Sequence, residues 1–212
     1  MKKIILFVFI LVAVIGCRQK LTPQQTKDTT IMETNAKLDT TTFGTGCFWC
    51  TEAIFTRLKG VVSVTCGYSG GTVDNPSYEE VCTGTTGNAE VCQIIYNPAV
   101  ITFDELLEVF WKVHDPTTLN RQGADEGTQY RSVIFYHNED QKKLAEYYKG
   151  ELNKNNTWGK PVVTEISPFK NFYKAEDYHQ DYFENNPNQG YCQFVIAPKV
   201  EKFEKVFKNK LK

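Results

Sequence analysis

The sequence carries no excess of positive charge. Its 24 lysine and arginine residues are balanced by 25 acidic residues, which gives a net charge of -1, and no basic run stands out. Proteins that bind nucleic acid neutralise phosphates with clustered basic side chains. Nucleic acid is therefore not an expected partner. A chain of 212 residues with 41% hydrophobic residues is instead typical of one globular domain with a substantial core.

The sequence also lacks an apolar run long enough to span a membrane. The apolar stretch near its start, residues 4–16, has about 13 residues, whereas a spanning helix needs about 20. Two lysines precede this stretch, so it is predicted to be a signal peptide. The stretch ends in Val14-Ile15-Gly16-Cys17, which resembles the bacterial lipobox and makes Cys17 the predicted site of lipid attachment. A plain cleaved signal and an uncleaved anchor are the alternatives.

This interpretation divides the chain into three parts. Residues 1–17 are the predicted signal, and residues 18–40 form a flexible polar tether with too few apolar residues to fold. Residues 41–212 are the predicted folded domain. The mature protein is expected in the bacterial cell envelope, where its lipid would hold it to a membrane on the periplasmic or extracytoplasmic face.

Residue patterns that bind metals are scarce. The three histidines, His114, His137 and His179, have no metal-ligand spacing and are expected to be structural. Cys47-x-x-Cys50 could supply half of a zinc site, but tetrahedral zinc needs a second such pair or a nearby pair of histidines. The other cysteines are scattered singly. Neither a metal nor an organic cofactor is expected.

The stretch Thr45-Gly46-Cys47-Phe48-Trp49-Cys50-Thr51-Glu52 has the composition of a reactive-thiol site. A β-like run ends at Gly46 and an amphipathic segment follows, so Cys47 is expected in the first turn of a helix, where free backbone N–H groups favour an anion. A lowered pKa and partial exposure are therefore predicted for its thiol. Phe48 and Trp49 would place apolar surface beside the sulfur, and Cys50 lies about one helical turn away.

Three other interpretations compete. A Cys-x-x-Cys pair beside a strand and helix is also typical of thioredoxin-like disulfide oxidoreductases. The run Gly67-Tyr68-Ser69-Gly70-Gly71 matches the nucleophile elbow of serine hydrolases, but that motif requires a helix immediately after it, and a loop-like run follows here. A non-catalytic surface protein with structural cysteines is the third, and Cys66, Cys82 and Cys92 are indeed expected to be small core residues.

Hydrophobic periodicity predicts the order strand, helix, strand, strand, helix, strand. These elements are expected at residues 41–45, 47–58, 61–66, 90–96, 102–113 and 129–136. The order fits an α+β, two-layer ferredoxin-like core, which is a split β-α-β arrangement. Further elements are predicted outside this core, namely a short helix at 76–83, a helix at 138–153, a strand at 162–167 and helices at 175–184 and 199–210.

The chain resembles the A-type peptide methionine sulfoxide reductases, whose signature is Gly-Cys-Phe-Trp followed by a small residue. The resemblance extends in order over about residues 41–205. It is carried by the signature at Cys47 and by Gly67-Tyr68-Ser69-Gly70-Gly71, Asn75-Pro76-Ser77-Tyr78, Glu79-Glu80-Val81-Cys82, Gly87-Asn88-Ala89-Glu90, Phe110-Trp111, His114-Asp115-Pro116, Arg121-Gln122-Gly123-Ala124-Asp125, Gly127-Thr128-Gln129-Tyr130-Arg131-Ser132 and Ala175-Glu176-Asp177-Tyr178-His179-Gln180.

The resemblance implies roles for individual residues. Cys47 would be the nucleophile, and Glu90 would be the acid that shares a proton with the sulfoxide oxygen. Tyr78 and Tyr130 would hydrogen-bond the same oxygen, and Asp125 would support this network through water. Phe48 and Trp49 would hold the methyl group of the substrate.

The resemblance leaves the resolving thiol open. Cys192 matches a family position whose cysteine attacks the oxidised nucleophile. The sequence departs from the common pattern because Cys50 stands where glycine is usual and because no second cysteine follows Cys192. Either thiol could act first, and the family position slightly favours Cys192.

The activity implied by the resemblance is reduction of methionine-S-sulfoxide, either free or within oxidised proteins. Cys47 would become a sulfenic acid, an intramolecular disulfide would follow, and a thioredoxin-like partner would reduce that disulfide. The protein is expected to act as a monomer.

Overall fold

The computed structural model describes residues 37–212. The predicted signal, most of the predicted tether and the predicted lipid attachment at Cys17 lie outside these residues and stay predictions. Within the described range, no helix combines the length and the apolar character needed to cross a membrane.

A six-stranded sheet forms the centre of the domain, and two further strands form a separate hairpin. The strands of the sheet are β1 (Asp39–Thr45), β2 (Val61–Ser69), β3 (Ala89–Tyr96), β6 (Ser132–Tyr136), β7 (Glu165–Pro168) and β8 (Tyr173–Lys174). The hairpin consists of β4 (Arg121–Gln122) and β5 (Asp125–Glu126). The helices are α1 (Phe48–Phe55), α2 (Tyr78–Cys82), α3 (Phe103–Val113), α4 (Glu139–Lys154), α5 (Tyr182–Asn185) and α6 (Ala197–Val206).

The strand order confirms the predicted ferredoxin-like core. Across the sheet the order is β7, β6, β1, β3, β2, β8. β3 lies antiparallel between β1 and β2, and β1 lies antiparallel between β3 and β6. The β1-α1-β2 unit is therefore split by β3, as the split β-α-β arrangement requires. Parallel pairing of β7 with β6 then makes the sheet mixed.

Local sequence explains the helix boundaries. Thr102 accepts a hydrogen bond from the Glu105 backbone N–H while the Glu105 carboxylate accepts one from the Thr102 backbone N–H, so a capping box starts α3. Ser77 and Glu80 form the same box at the start of α2. The buried face of α3 contains Leu106, Leu107 and Phe110, and its amphipathic period matches an α-helix on one side of a sheet.

The two faces of the sheet are covered unequally. The main core lies on the face covered by α1 and α3, where Phe43, Ile54 and Leu106 pack together. On the other face, Phe169 and Phe172 pack against a small cluster of Ala89, Val91, Val133 and Phe135. The site described below belongs to the main core.

The C-terminal third departs most from the sequence-based prediction. The helix predicted at 175–184 is replaced by a 3₁₀ turn at Asp177–His179 and the short α5, because Asp181 adopts a left-handed backbone conformation that interrupts a helix. The strand predicted at 162–167 begins only at Glu165. The last helix begins earlier than predicted, with a π-helical turn at Cys192–Ile196 that continues into α6.

Candidate active site

A cavity of about 180 Å³ opens at the N-terminal end of α1. Its lining contains every residue that was predicted to be the nucleophile, the acid, a hydroxyl donor, the supporting acid or part of the aromatic wall. The lining residues are Cys47, Phe48, Trp49, Tyr78, Glu90, Asp125, Tyr130 and Tyr191. A larger open groove around Arg57 and Glu204 contains no thiol, so the smaller cavity is the candidate active site.

The turn between β1 and α1 positions Cys47. Gly46 has a φ of +98°, and a Cβ built on it would lie 2.6 Å from the Gln122 side chain, so only glycine fits this turn. Helix α1 begins at Phe48, one residue later than predicted, so Cys47 immediately precedes the helix. The hydroxyls of Thr45 and Thr51 share a 2.7 Å hydrogen bond that ties the end of the strand to the helix.

The predicted lowered pKa and partial exposure of the Cys47 thiol are wrong for the resting protein. Only 5% of Cys47 is exposed, and burial raises the pKa of its thiol well above the usual value. The backbone N–H of Phe48, which was expected to help an anion here, donates instead to the Glu90 carboxyl. The nearby Tyr191 hydroxyl acts in the opposite direction and lowers the pKa of the Cys47 thiol.

Glu90 is a buried carboxyl group directly beside the nucleophile. It lies on β3, is 1% exposed, and accepts a 3.0 Å hydrogen bond from the Phe48 backbone N–H through Oε2. Burial raises its pKa to about 8, although this hydrogen bond works against the shift. The group is therefore a carboxylic acid at neutral pH and can donate a proton.

Three tyrosines supply hydroxyl groups to the cavity. Burial raises the pKa of Tyr78, of Tyr130 and of Tyr191, so each keeps its proton at neutral pH. Tyr78 and Tyr130 line the same cavity as Glu90. Asp125, on the hairpin strand β5, accepts a 2.7 Å hydrogen bond from the Tyr191 hydroxyl.

Aromatic rings form the apolar side of the cavity. The Trp49 indole stacks on Tyr182 with ring centroids 3.7 Å apart and an interplanar angle of 8°. Its Nε1–H donates to Nδ1 of His179 at 3.2 Å, so the indole is fixed from two directions. Phe48 is buried and packs against the His179 ring at a centroid distance of 5.0 Å. Phe48 and Trp49 therefore present a rigid apolar wall next to Cys47.

Three thiols lie close to one another at this site. The Cys47 and Cys50 thiols influence each other's pKa. The Lys199 ammonium group, on α6, lies 3.6 Å from the Cys50 sulfur. The Cys47 thiol and Lys199 together lower the pKa of Cys50 to about 7, against the opposing effect of burial. Cys192 is fully buried in the π-helical turn, and burial followed by the charge of Cys50 raises its pKa.

The remaining cysteines of the described chain divide into two kinds. Cys66 and Cys92 are fully buried neighbours on β2 and β3, with sulfurs 3.9 Å apart, as expected of core residues. The prediction that Cys82 is a core residue is wrong. Its side chain is exposed, because Cys82 lies on the solvent side of the short α2 and only Val81 of that helix is buried.

Tyr191, His179 and Lys199 are site residues that the sequence alone did not identify. Tyr191 was visible only as the neighbour of Cys192, and Lys199 only as part of a polar helix. Each acts on Cys47, Trp49 or Cys50, which is at least 130 positions away from it in the sequence. No local spacing could have found them. Among residues 37–212, no group of three or more histidine, cysteine or acidic side chains is arranged to hold a metal ion.

Known proteins share both the sequence and the arrangement. The family described as peptide methionine sulfoxide reductase matches residues 39–211. The peptide methionine sulfoxide reductase MsrA of Saccharolobus solfataricus is 57% identical, and the match covers 82% of this chain and 98% of that protein. The protein of the same name from Polynucleobacter asymbioticus is 52% identical over 81% of this chain and 90% of its own length.

Solved structures agree with these matches. The reduced form of Mxr1 from Saccharomyces cerevisiae is similar with a TM-score of 0.68 at 43% identity, over 75% of this chain and 91% of that chain. Methionine sulfoxide reductase A of Corynebacterium diphtheriae gives a TM-score of 0.67 at 38% identity, over 74% of this chain and 78% of that chain. The chain therefore belongs to the peptide methionine sulfoxide reductase family and, within it, to the MsrA type.

Proposed function

We propose that the protein reduces methionine-S-sulfoxide, free or in oxidised proteins, to methionine. The observation that supports this reaction most directly is the protonated Glu90 carboxyl group beside the Cys47 thiol, in a cavity with an aromatic wall. Reduction of a sulfoxide by a thiol requires a nucleophilic sulfur and a proton for the oxygen. Both are held here within one cavity.

In the first step, Glu90 donates its proton to the sulfoxide oxygen, and Tyr78 and Tyr130 donate hydrogen bonds to it. The Cys47 sulfur attacks the sulfoxide sulfur, and its thiol proton replaces the one that Glu90 gave up. The sulfur–oxygen bond of the substrate and the new bond between the two sulfurs then break, the hydroxyl group passes to Cys47, and methionine leaves. The substrate sulfur gains two electrons and Cys47 becomes a sulfenic acid.

The raised pKa of Cys47 is consistent with this step. At rest the buried sulfur is a thiol, which protects it from unselective oxidation. The Tyr191 hydroxyl donates its hydrogen bond to Asp125 at rest and can turn to the Cys47 sulfur when the thiol proton leaves.

Three fixed directions around the substrate sulfur give a reason for selection between sulfoxide epimers. Cys47 approaches from one side, the proton donors hold the oxygen on a second, and Phe48 with Trp49 contacts the methyl group on a third. Exchanging the oxygen with the lone pair would aim the oxygen away from Glu90. The family to which the chain belongs is the A type, for which we expect the S epimer to react.

The catalytic cycle closes by disulfide exchange. A resolving thiol, Cys192 or Cys50, condenses with the Cys47 sulfenic acid, water leaves, and a thioredoxin-like protein reduces the resulting disulfide. A monomer contains every group that this cycle needs, and we propose that the protein acts as one.

We also propose that the domain acts at a bacterial envelope membrane, to which lipid on Cys17 anchors it. The support is the lipobox-like sequence before Cys17. Phase partitioning of the protein made in a bacterial host tests the anchor. Wild type should enter the detergent phase and Cys17→Ser the aqueous phase, whereas equal partitioning would contradict lipid attachment.

Single-turnover reduction of separated sulfoxide epimers tests the proposed activity. The reduced protein, freed of external reductant, is mixed with a peptide containing either the S or the R epimer, and methionine is counted per protein. We expect about one equivalent from the S epimer and almost none from the R epimer. No product from either epimer would contradict the proposal, and reduction of disulfide substrates by the same sample would then favour a disulfide oxidoreductase.

A further inference from the structure

A single lysine side chain is in contact with one of the three site thiols. Lys199 Nζ lies 3.6 Å from the Cys50 sulfur, and Cys50 is only 3% exposed. A lysine ammonium group this close to a buried sulfur favours the thiolate, which is the form that attacks. Cys50 is thus the thiol near Cys47 that most readily forms a thiolate. The Cys-x-x-Cys spacing alone does not show this.

Cys50 is also connected to both of the other thiols. It lies on α1, three positions after Cys47, and its charge raises the pKa of Cys192. Cys192 is fully buried in a π-helical turn, and both that turn and α6 pack against α1. π-Helical turns are rare and frequently occur at functional sites.

We propose that Lys199 holds Cys50 as the thiolate that condenses with oxidised Cys47, so that Cys50 resolves the sulfenic acid before Cys192 takes part. The inference rests on the proposed function and specifies its second step. Lys199 acts as a positioning residue, since it stabilises the attacking sulfur without contacting the substrate.

The step balances without an external reagent. The Cys50 thiolate attacks the sulfur of the Cys47 sulfenic acid, a sulfur–sulfur bond forms, and the sulfur–oxygen bond breaks. The departing hydroxide takes a proton from solvent and leaves as water. Cys47 is reduced and Cys50 is oxidised by the same electron pair. Exchange of this disulfide with Cys192 then moves the oxidised pair towards the C-terminal turn, where Phe194 is exposed.

The order of the thiols can be read by stopping a single turnover at successive times. The full chain is reacted with one equivalent of the S epimer, quenched in acid, and its disulfides are mapped by mass spectrometry. We expect the Cys47–Cys50 disulfide first and any disulfide of Cys192 later. A Cys47–Cys192 disulfide that forms first would overturn the inference, while the accompanying methionine would leave the proposed function intact.

Replacement of the lysine tests its part directly. In Lys199→Met, methionine release should keep its wild-type rate, whereas thiol loss at pH 7 should slow by about 5-fold or more, because raising a pKa of about 7 by one unit lowers the thiolate fraction at pH 7 from about one half to about one tenth. Raising the pH should restore thiol loss. Other ionisable groups whose charges act on the Cys50 site are Cys47, Asp125, Glu90 and Tyr191.

Two further variants separate charge from packing. Lys199→Arg keeps the positive charge and should recover most of the rate of thiol loss. Lys202→Met removes an exposed lysine from the same helix and should behave as wild type. Thiol loss in Lys199→Met that is unchanged at every pH would overturn the role of Lys199. Absence of methionine from all variants and from wild type would instead refute the proposed function.

Discussion

Two pairs of buried cysteines meet at Phe48 and can be compared directly. Cys47 and Cys50 flank the dipeptide Phe48-Trp49 in the sequence. The sulfurs of Cys66 and Cys92 lie 3.8 Å and 3.4 Å from the carbonyl oxygen of Phe48. All four side chains are at most 5% exposed. In the first pair, Cys47 lines a cavity together with Tyr191, and Lys199 contacts Cys50. In the second pair, burial raises the pKa of both thiols, which contact each other.

The comparison shows that burial alone does not decide whether a thiol reacts. Burial raises the pKa of Cys47 as it does that of Cys92. The difference lies in the groups around each sulfur, namely a hydroxyl donor, an ammonium group and a protonated acid at the first pair. Only that first pair has a cavity in which a substrate sulfur could approach.

The largest contrast between the pairs should come from removing one sulfur from each. Cys47→Ser should abolish methionine formation, by at least about 10⁴-fold, because a serine hydroxyl cannot replace the attacking thiol. Cys92→Ala should keep the rate within about twofold and lower the free energy of unfolding by about 1 kcal/mol, as expected for loss of a small buried group. Single-turnover assays with urea unfolding check both. A comparable rate loss in the two variants would remove the distinction.

Replacement of the buried acid should have the next largest effect. Glu90→Gln keeps an oxygen that can accept the Phe48 N–H but has no proton to give, so methionine formation at pH 7 should fall by about 10² to 10³-fold. In wild type, the carboxylic acid is present below its pKa of about 8, so the first step should slow as the pH rises through that value. The variant should lose this dependence. If the rate of the first step in Glu90→Gln also fell at high pH, a group other than Glu90 would be responsible for the pH dependence.

The same raised pKa makes a prediction about stability. The folded state holds a proton on Glu90 that the unfolded chain releases near its ordinary pKa, so unfolding becomes easier as the pH rises from about 5 towards 8. Glu90→Gln removes this contribution and should be more stable than wild type at pH 9 by a few kcal/mol. Thermal unfolding of both proteins at pH 5 and pH 9 measures the difference. Equal changes in the unfolding temperatures of the two proteins between pH 5 and pH 9 would contradict this prediction.

The smallest effect concerns the hydroxyl that distinguishes the reactive pair. Tyr191→Phe removes the hydroxyl that donates to Asp125 and lowers the pKa of Cys47, while keeping the ring that contacts Trp49. We expect methionine release to slow by about 5 to 30-fold, in line with the loss of one hydrogen bond to a charged group. Alkylation of Cys47 by a small reagent should slow with it. An unchanged alkylation rate would mean that Tyr191 does not stabilise the thiolate.

Much of the fold followed from short-range signals. The capping pair Thr102 and Glu105 and the apolar period after it placed α3, and alternating residues placed β2 and β3. The left-handed Asp181 carried no comparable signal, because aspartate occurs in helices as well as in turns. The π-helical turn at Cys192 is likewise a tertiary result, since the same residues would form an ordinary α-helix alone.

The site was predicted in composition but not in electrostatics. The family resemblance named Cys47 and Glu90, and the structure brings them together. The sequence could not show that the Phe48 N–H serves the carboxyl rather than the thiol, so the expected pKa of Cys47 had the wrong direction. It also could not show Tyr191 and Lys199, whose contacts depend on how the C-terminal turn packs on α1. Charges and hydrogen bonds between distant residues need the folded chain.

A direct titration of Glu90 tests the central claim that a protonated acid lies beside Cys47. The carboxyl signal of Glu90 can be followed by infrared difference spectroscopy between pH 4 and pH 10, with Glu90→Gln to identify it. The account predicts a carboxylic acid that persists at pH 7 and loses its proton near pH 8. A carboxylate already formed at pH 5 to 6 would contradict it, because no buried proton would then be available for the sulfoxide oxygen.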